Sequence, residues 1–273
     1  MRAREDSLRL SELGPWALIA GGSEGVGESF ARQLAAAGLD LVLVARNPAR
    51  LDALAGELRD QGVEVRTLAQ DLTAPDALEK VAAATADLEI GLLIYNAGAN
   101  SDFAQFLDTS EADSLRLIAL NVIGPTRFCR LFGDRMRQRR RGGIILLGSV
   151  SGYAGLALTS VYSATKAYIH VLAEGLWFEL LPHGVHVLGL VLGGTRTPTV
   201  ERLRRKYGAG ESEQPAAHLS EPDAVARQGL EQIRNGPLFI AGGNEDFVHR
   251  LQRMPRFEAA GLISRRFEAS GAR

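Results

Sequence analysis

Of 273 residues only one, Cys129, is a cysteine. An internal disulfide is therefore impossible, and with no CxxC pair or Cys/His cluster the chain shows no metal-ligand spacing. Charge of one sign is also missing: the formal net charge is -1, which argues against wholesale nucleic-acid binding. No stretch approaches the roughly 18 uninterrupted apolar residues of a membrane span. The first fourteen residues, MRAREDSLRLSELG, carry charges throughout and lack the apolar centre of a signal peptide. A reducing, cytoplasmic setting is the expectation. Internal repeats, low-complexity segments and linkers are absent too, so residues 1–273 are read as one domain.

What remains is an alternation. Short β-rich runs at 16–22, 39–46, 63–72, 90–98, 142–149, 184–194 and 237–243 are separated by helical stretches. The helical ones fall near 29–38, 48–62, 74–88, 109–137, 160–181 and 223–236. Strands of continuous Val/Ile/Leu character between helices predict an α/β fold: a doubly wound parallel sheet of about seven strands covered on both faces. Ligands of such sheets sit at the carboxyl ends of the strands.

Between the first strand and the first helix lies AGGSEGVG, residues 20–27. Gly21, Gly25 and Gly27, with Ser23, Glu24 and Val26 among them, give the spacing GxxxGxG. Such a turn lets backbone approach a pyrophosphate while the helix N-terminus donates N–H groups to it. The usual dinucleotide fingerprint has an acid about 20 residues after its first glycine, to grip the adenosine ribose. Asp40 has nearly that spacing but starts the second strand, about 17 Å from its ligand end. The strand closes instead on Ala45, Arg46 and Asn47. Ala45 leaves room where a carboxylate would repel a 2′-phosphate, and Arg46 offers that phosphate a charge-assisted fork.

With its glycine turn the chain resembles the short-chain dehydrogenase/reductase family, whose usual opening is Thr-Gly-x-x-x-Gly-x-Gly. Ala20 stands where the family has Thr, which puts the bracing of the loop in question. The resemblance implies an NADP(H) preference, because NADP-preferring members often carry Arg at the place of Arg46; NAD(H) is the alternative cofactor. Glu24 stands where many of those relatives carry Lys or Arg, so a weaker preference is expected. The family pattern also implies cofactor contacts at Asp71-Leu72, where an Asp meets the adenine amino group. Another set falls in YNAG, where Asn96, Ala97 and Gly98 match and Tyr95 replaces an Asn. In LGGTRTP, Gly193 keeps the family's glycine, Thr195 and Thr197 can reach the nicotinamide amide or pyrophosphate, and Leu192 replaces a proline.

YSATK places Tyr162 and Lys166 at i and i+4, on one helix face. A phenol is a poor acid-base catalyst near pH 7, and a nearby ammonium favours its ionised form. Alone the pair fits any amphipathic helix. Its context is LLGSVSG, where Ser149 lies at the family's distance from the tyrosine, with Ser151 as a nearby competitor. A serine hydroxyl there can stabilise charge developing on a substrate oxygen. Asn121 matches the family's asparagine that holds a proton-relay water. The implied activity is hydride transfer between nicotinamide and a ketone or secondary alcohol. Tyr162 acts as acid and base, and Lys166 also binds the ribose hydroxyls.

Tyr153, Leu156, Leu158 and Val161 are read as a substrate wall, or equally as core, with 194–220 as a lid. The wall is apolar, so a lipophilic substrate fits better than a sugar phosphate. The basic run 135–141 reads as a helix end beside a negative dipole rather than a nucleic-acid patch. The C-terminal extension, 244–273, mixes apolar and basic positions and suits a cleft cover, a subunit interface or a membrane contact. The resemblance implies a homodimer, or else a homotetramer, through the helices bearing Asn121 and Tyr162. Two other readings are carried: a non-catalytic NADP-binding sensor, and a sugar-nucleotide epimerase, which the short C-terminal part disfavours.

Overall fold

The computed structural model describes residues 10–99, 103–206 and 219–268. Seven parallel strands form one sheet in the order β3-β2-β1-β4-β5-β6-β7. They are β1 (Trp16–Ala20), β2 (Asp40–Ala45), β3 (Val65–Ala69), β4 (Ile90–Tyr95), β5 (Gly142–Ser149), β6 (Val185–Leu192) and β7 (Leu238–Ile240). Every residue of β1, β4 and β5 is buried. Alternation along a strand explains the two cores. Ala17, Ile19, Leu92 and Ile94 enter the layer on one side, whereas Leu18, Ala20, Leu93 and Tyr95 enter the layer on the other.

The helices that cover the sheet begin with α1 (Gly25–Ala36), α2 (Pro48–Arg59) and α3 (Ala77–Ala84). Next come α4 (Glu111–Ile118), α5 (Gly124–Arg139) and α6 (Ser160–Leu180), then α7 (Pro198–Lys206) and α8 (Pro222–Gln232). In α1, Val26, Phe30, Ala31 and Leu34 recur at helical spacing and are buried, which presses the helix onto the sheet. The helix starts inside the glycine turn, earlier than the apolar pattern alone predicts. The single stretch expected at 109–137 is two helices joined by a π turn, Ala119–Ile123. Such a turn inserts one residue and shifts the apolar stripe by about 100°, a single displacement that reads as scatter in the sequence pattern.

Beyond the sheet, α9 (Glu245–Arg253) and α10 (Arg256–Glu268) pack as a separate unit. Their Leu251, Ala259 and Ile263 form a small third core with Ala154 and Leu156. Part of the expected lid (207–218) and the end of the expected extension (269–273) lie outside the described residues. Among the described residues, no helix is long and apolar enough to cross a membrane. The basic end of α5 is tied down: Arg139 donates to the Ile90 carbonyl at 2.6 Å, and Arg141 pairs with Glu89 at 2.6 Å.

Candidate active site

The strand order reverses between β1 and β4, and the ends of those two strands lie side by side, with Ala20 in register with Tyr95. A doubly wound sheet opens its ligand crevice at that point. Gly21 adopts φ +84°, and a Cβ there would meet the Ala97 backbone at 2.8 Å. Gly27 packs on the Gly21 carbonyl, where a side chain would overlap. Backbone therefore touches backbone, and only glycine fits. The bracing expected to be missing at Ala20 comes from elsewhere: Ala97 N donates to the Ala20 carbonyl at 2.7 Å. Asn96 Nδ2 also donates to the Gly21 carbonyl at 2.7 Å. Glu24, at the N-cap of α1, makes no side-chain bond to the first turn, so those N–H groups are left for an anion. Ser23, Gly25 and Val26 complete the turn, Val26 being buried. This close-walled turn with open donors fits a dinucleotide pyrophosphate.

At the end of β2, Ala45 is buried and Arg46 exposed. Asn47 has a structural role, since its Oδ1 accepts from Arg50 N at 3.1 Å and caps α2. Asp71 spends one carboxylate oxygen on Thr73, through N at 2.9 Å and Oγ1 at 2.8 Å. Those bonds, the backbone one first, with Arg116 and Arg46 nearby, hold its carboxyl below the usual range. Leu72 is buried beside it. Glu24 does not face the cleft as a bare anion. It pairs with Arg50, accepts from Arg202 at 2.7 Å and from Thr199 at 3.1 Å. The Arg202 hydrogen bond, with further help from Thr199 and Arg50, depresses its pKa despite partial burial. The repulsion expected from Glu24 is thus offset by two guanidinium groups.

The expected catalytic residues come from three segments and meet. Ser149 ends β5 and is 9% exposed. Its Oγ accepts from Ser151 N at 3.2 Å, which fixes the hydroxyl and gives Ser151 a supporting part through its backbone. The Ser149 hydroxyl lies close enough to the Tyr162 phenol to favour its ionised form. Lys166, one turn along α6, has its Nζ 5.7 Å from the Tyr162 ring centre and donates to the Leu147 carbonyl at 2.8 Å. Burial dominates the acid-base state of both. It raises the Tyr162 pKa, with the nearby Ser149 hydroxyl acting the other way, and lowers Lys166 to about 8. The expected lowering of the phenol by the ammonium is outweighed here, because desolvation disfavours the phenolate more.

Asn121 lies in the π turn and is buried. Its Nδ2 donates to the Ala99 carbonyl at 3.2 Å and to Thr165 Oγ1 at 3.1 Å, while its Oδ1 accepts from Ala99 N at 3.3 Å. Thr165 in turn donates to the Tyr162 carbonyl at 2.7 Å. Gly98 fits against this cluster; a Cβ there would lie 3.4 Å from Lys166 Nζ and 3.5 Å from Asn121 Oδ1. Thr195 Oγ1 donates to the Gly193 carbonyl at 3.3 Å, and Thr197 Oγ1 accepts from Val200 N at 3.2 Å. Gly193 leaves no space for a side chain against Asn244. Leu192 continues β6 in register with Ser149, so the strand runs on where a proline would cost a ladder bond.

On the substrate side, Leu156 is 4% exposed and belongs to the third core rather than to an open wall. Tyr153 is half-buried and stacks at 4.7 Å on His170, two turns after Tyr162 on α6. Sequence reasoning passed over His170. It is packed between Gly148 and Gly152 and is held neutral by burial, with a pKa of about 4. Its place at i+8 from Tyr162 was the available signal. Leu158 adopts φ +64°, a strained conformation for leucine, where its carbonyl accepts from Ala104 N at 3.2 Å.

A glycine turn at the crevice of a doubly wound sheet, facing a joined serine, tyrosine and lysine, defines a nicotinamide-dependent oxidoreductase of CH–OH and C=O groups. The family model for short chain dehydrogenase matches residues 15–208, and the chain belongs to that family. It is 30% identical over 257 residues to a 7beta-hydroxysteroid dehydrogenase of Clostridium sardiniense, covering 93% of this chain and 96% of that one. A solved structure of 7beta-hydroxysteroid dehydrogenase superimposes with a TM-score of 0.87 at 29% identity, covering 94% of this chain and 99% of that one. A very-long-chain 3-oxoacyl-CoA reductase of Macaca fascicularis is 30% identical over 83% of this chain and 72% of its own length. A short-chain dehydrogenase from Sphingobium yanoikuyae, solved with NADPH, is 34% identical with a TM-score of 0.76, over 88% of this chain and 94% of that one.

Proposed function

We propose that the protein is an NADP(H)-dependent oxidoreductase that interconverts a bulky, apolar ketone and its secondary alcohol. The observation that carries this is the placing of Ser149 at the end of β5 and of Tyr162 and Lys166 on one face of α6, with Lys166 Nζ held by the Leu147 carbonyl and lying against Gly98. Arg46, at the edge of the β2 strand end with no acid, supports NADP(H), as does the NADPH-bound relative. Glu24, Gly25, Gly27, Asn96, Ala97 and Gly98 would hold the cofactor's pyrophosphate side, with Thr195 and Thr197 toward the nicotinamide. When bound, the cofactor supplies or accepts the hydride.

The protein side of the reaction is proton movement and charge stabilisation. In reduction, Tyr162 Oη gives its proton to the substrate oxygen as the carbonyl carbon gains hydride; in oxidation it takes the proton back. Ser149 Oγ hydrogen-bonds the same oxygen and stabilises its developing charge. Lys166 binds the ribose and supports the phenolate. Asn121 fixes the loop at Ala99 that closes this side of the cluster. The half-buried ring of Tyr153 favours a substrate with an apolar part, and a hydroxysteroid is the kind of substrate named for one of the relatives.

A homodimer fits as well. Leu115 and Ile123 on the α4 side, and Val171 and Phe178 on α6, are exposed, Phe178 at 76%. They lie on the helices read from the sequence as the subunit contact. The decisive experiment is NADPH oxidation with a panel of ketones, including a 7-oxo steroid and a bulky aryl ketone. The Tyr162→Phe protein loses at least about a hundredfold in kcat while binding NADPH normally. If it reduces the same ketone as fast as wild type, the catalytic assignment is wrong and the non-catalytic reading gains.

A further inference from the structure

Tyr95 directs its side chain away from the cofactor turn that its neighbour Asn96 braces. It closes β4, is 3% exposed and meets Phe128 edge-on, with ring centres 5.4 Å apart. A phenol buried in that layer needs a hydrogen-bond partner. It finds the carbonyl of Leu120, to which it donates at 2.9 Å. Leu120 lies in the π turn, immediately before Asn121. A π turn interrupts the regular i to i+4 ladder, so an outside donor helps to fix its backbone. Gly124, the first residue of α5, makes room for that donor: a Cβ there would overlap the Tyr95 hydroxyl.

The same residue is keyed to the other parts of the site. Tyr95 pairs in register with Ala20, which leads into the glycine turn, and with Leu146, three residues before Ser149. Asn121 is gripped through its side chain by Ala99 and Thr165, and the preceding peptide is gripped by Tyr95. We infer that Tyr95 is a positioning residue for the reaction: its hydroxyl fixes the π turn and thereby sets Asn121 against the Tyr162–Lys166 helix. This rests on the functional reading above. The competing reading is a buried hydroxyl that satisfies a carbonyl and adds only stability.

Tyr95→Phe removes one oxygen and keeps the ring. With the best ketone from the panel, kcat falls about tenfold, while the KM for NADPH changes less than about twofold. The solvent deuterium isotope effect on kcat rises, because proton transfer becomes slower relative to the other steps. Gly124→Ala, which displaces the hydroxyl, gives a similar loss in the wild-type background and a much smaller further loss when combined with Tyr95→Phe. That non-additivity reads the contact directly and stands in should Tyr95→Phe fold poorly. A Tyr95→Phe protein with a lower melting temperature but wild-type kcat and isotope effect overturns the inference, as do additive effects of the two substitutions. Failure of the functional reading has a different signature, an active Tyr162→Phe protein.

Discussion

In the cofactor half of the cleft, the backbones of Gly21, Gly27 and Ala97 and the side-chain amide of Asn96 meet at distances where one added carbon collides. Around the expected substrate wall, Tyr153, Ala154 and Leu156 are held by side chains that come from about a hundred residues later. Arg256 Nη1 donates to the Tyr153 carbonyl at 2.7 Å, Ser264 Oγ accepts from Ala157 N at 3.0 Å, and Leu251 and Ile263 fill the space between. The first half cannot gain a side chain without a backbone collision. The second is a packing arrangement, and packing tolerates exchange of one apolar shape for another. On the proposed reading, substrate range shifts through α9 and α10 while cofactor binding is untouched.

Leu251→Ala tests that independence most severely. The side chain is fully buried, so its loss costs about 2–5 kcal/mol of stability. The KM for the ketone rises, whereas NADPH affinity measured by fluorescence titration stays at the wild-type value. A parallel fall in NADPH affinity would show that the two halves are one packing unit. On the other side, Arg46→Ala removes a charge-assisted contact of about 1.5–3 kcal/mol, so kcat/KM for NADPH falls about 10- to 100-fold. NADH kinetics and ketone KM are unaffected; equal losses with both cofactors would sink the 2′-phosphate assignment.

An effect visible only as a pH dependence lies where the halves meet. His170, between the Ser149 turn and Tyr153, has its pKa lowered from an ordinary 6.5 to about 4, chiefly by burial. From pH 6.5 down to 4 the unfolded chain binds a proton that the folded one refuses. Its contribution is complete above that window and is lost across it, by about 1.4 kcal/mol per pH unit. In His170→Gln, denaturant unfolding followed from pH 7 to 4 loses this increment of slope. An unchanged slope would mean that the imidazole is charged in the native state.

Much of this was legible before the structure. Continuous Val/Ile/Leu runs announced a parallel sheet, and AGGSEGVG, Ser149 and YSATK, each beside a strand end, marked where its crevice would open. What the sequence hid is physical in origin. A π turn shifts an apolar period only once, which reads as scatter, so Asn121 read as part of one long helix. Glu24 read as a repulsive acid because Arg202, which neutralises it, is 178 positions away. Leu156 read equally as substrate wall or core because only the folded chain brings Leu251 and Ile263 over it. Local pattern reports local chemistry, and these three depend on distant partners.

The amide of Asn96 and the carbonyl of Gly21, 75 positions apart, are joined by one hydrogen bond. The nucleotide turn is therefore incomplete until β4 has docked beside β1. Closing so long a loop has an entropic cost that short-range contacts cannot recover in advance. A chain that has formed only its first βαβ unit has glycines of the right spacing but no pocket. Cofactor binding accordingly selects finished molecules, and NADPH present during refolding will stabilise the late, complete state and none of the earlier ones.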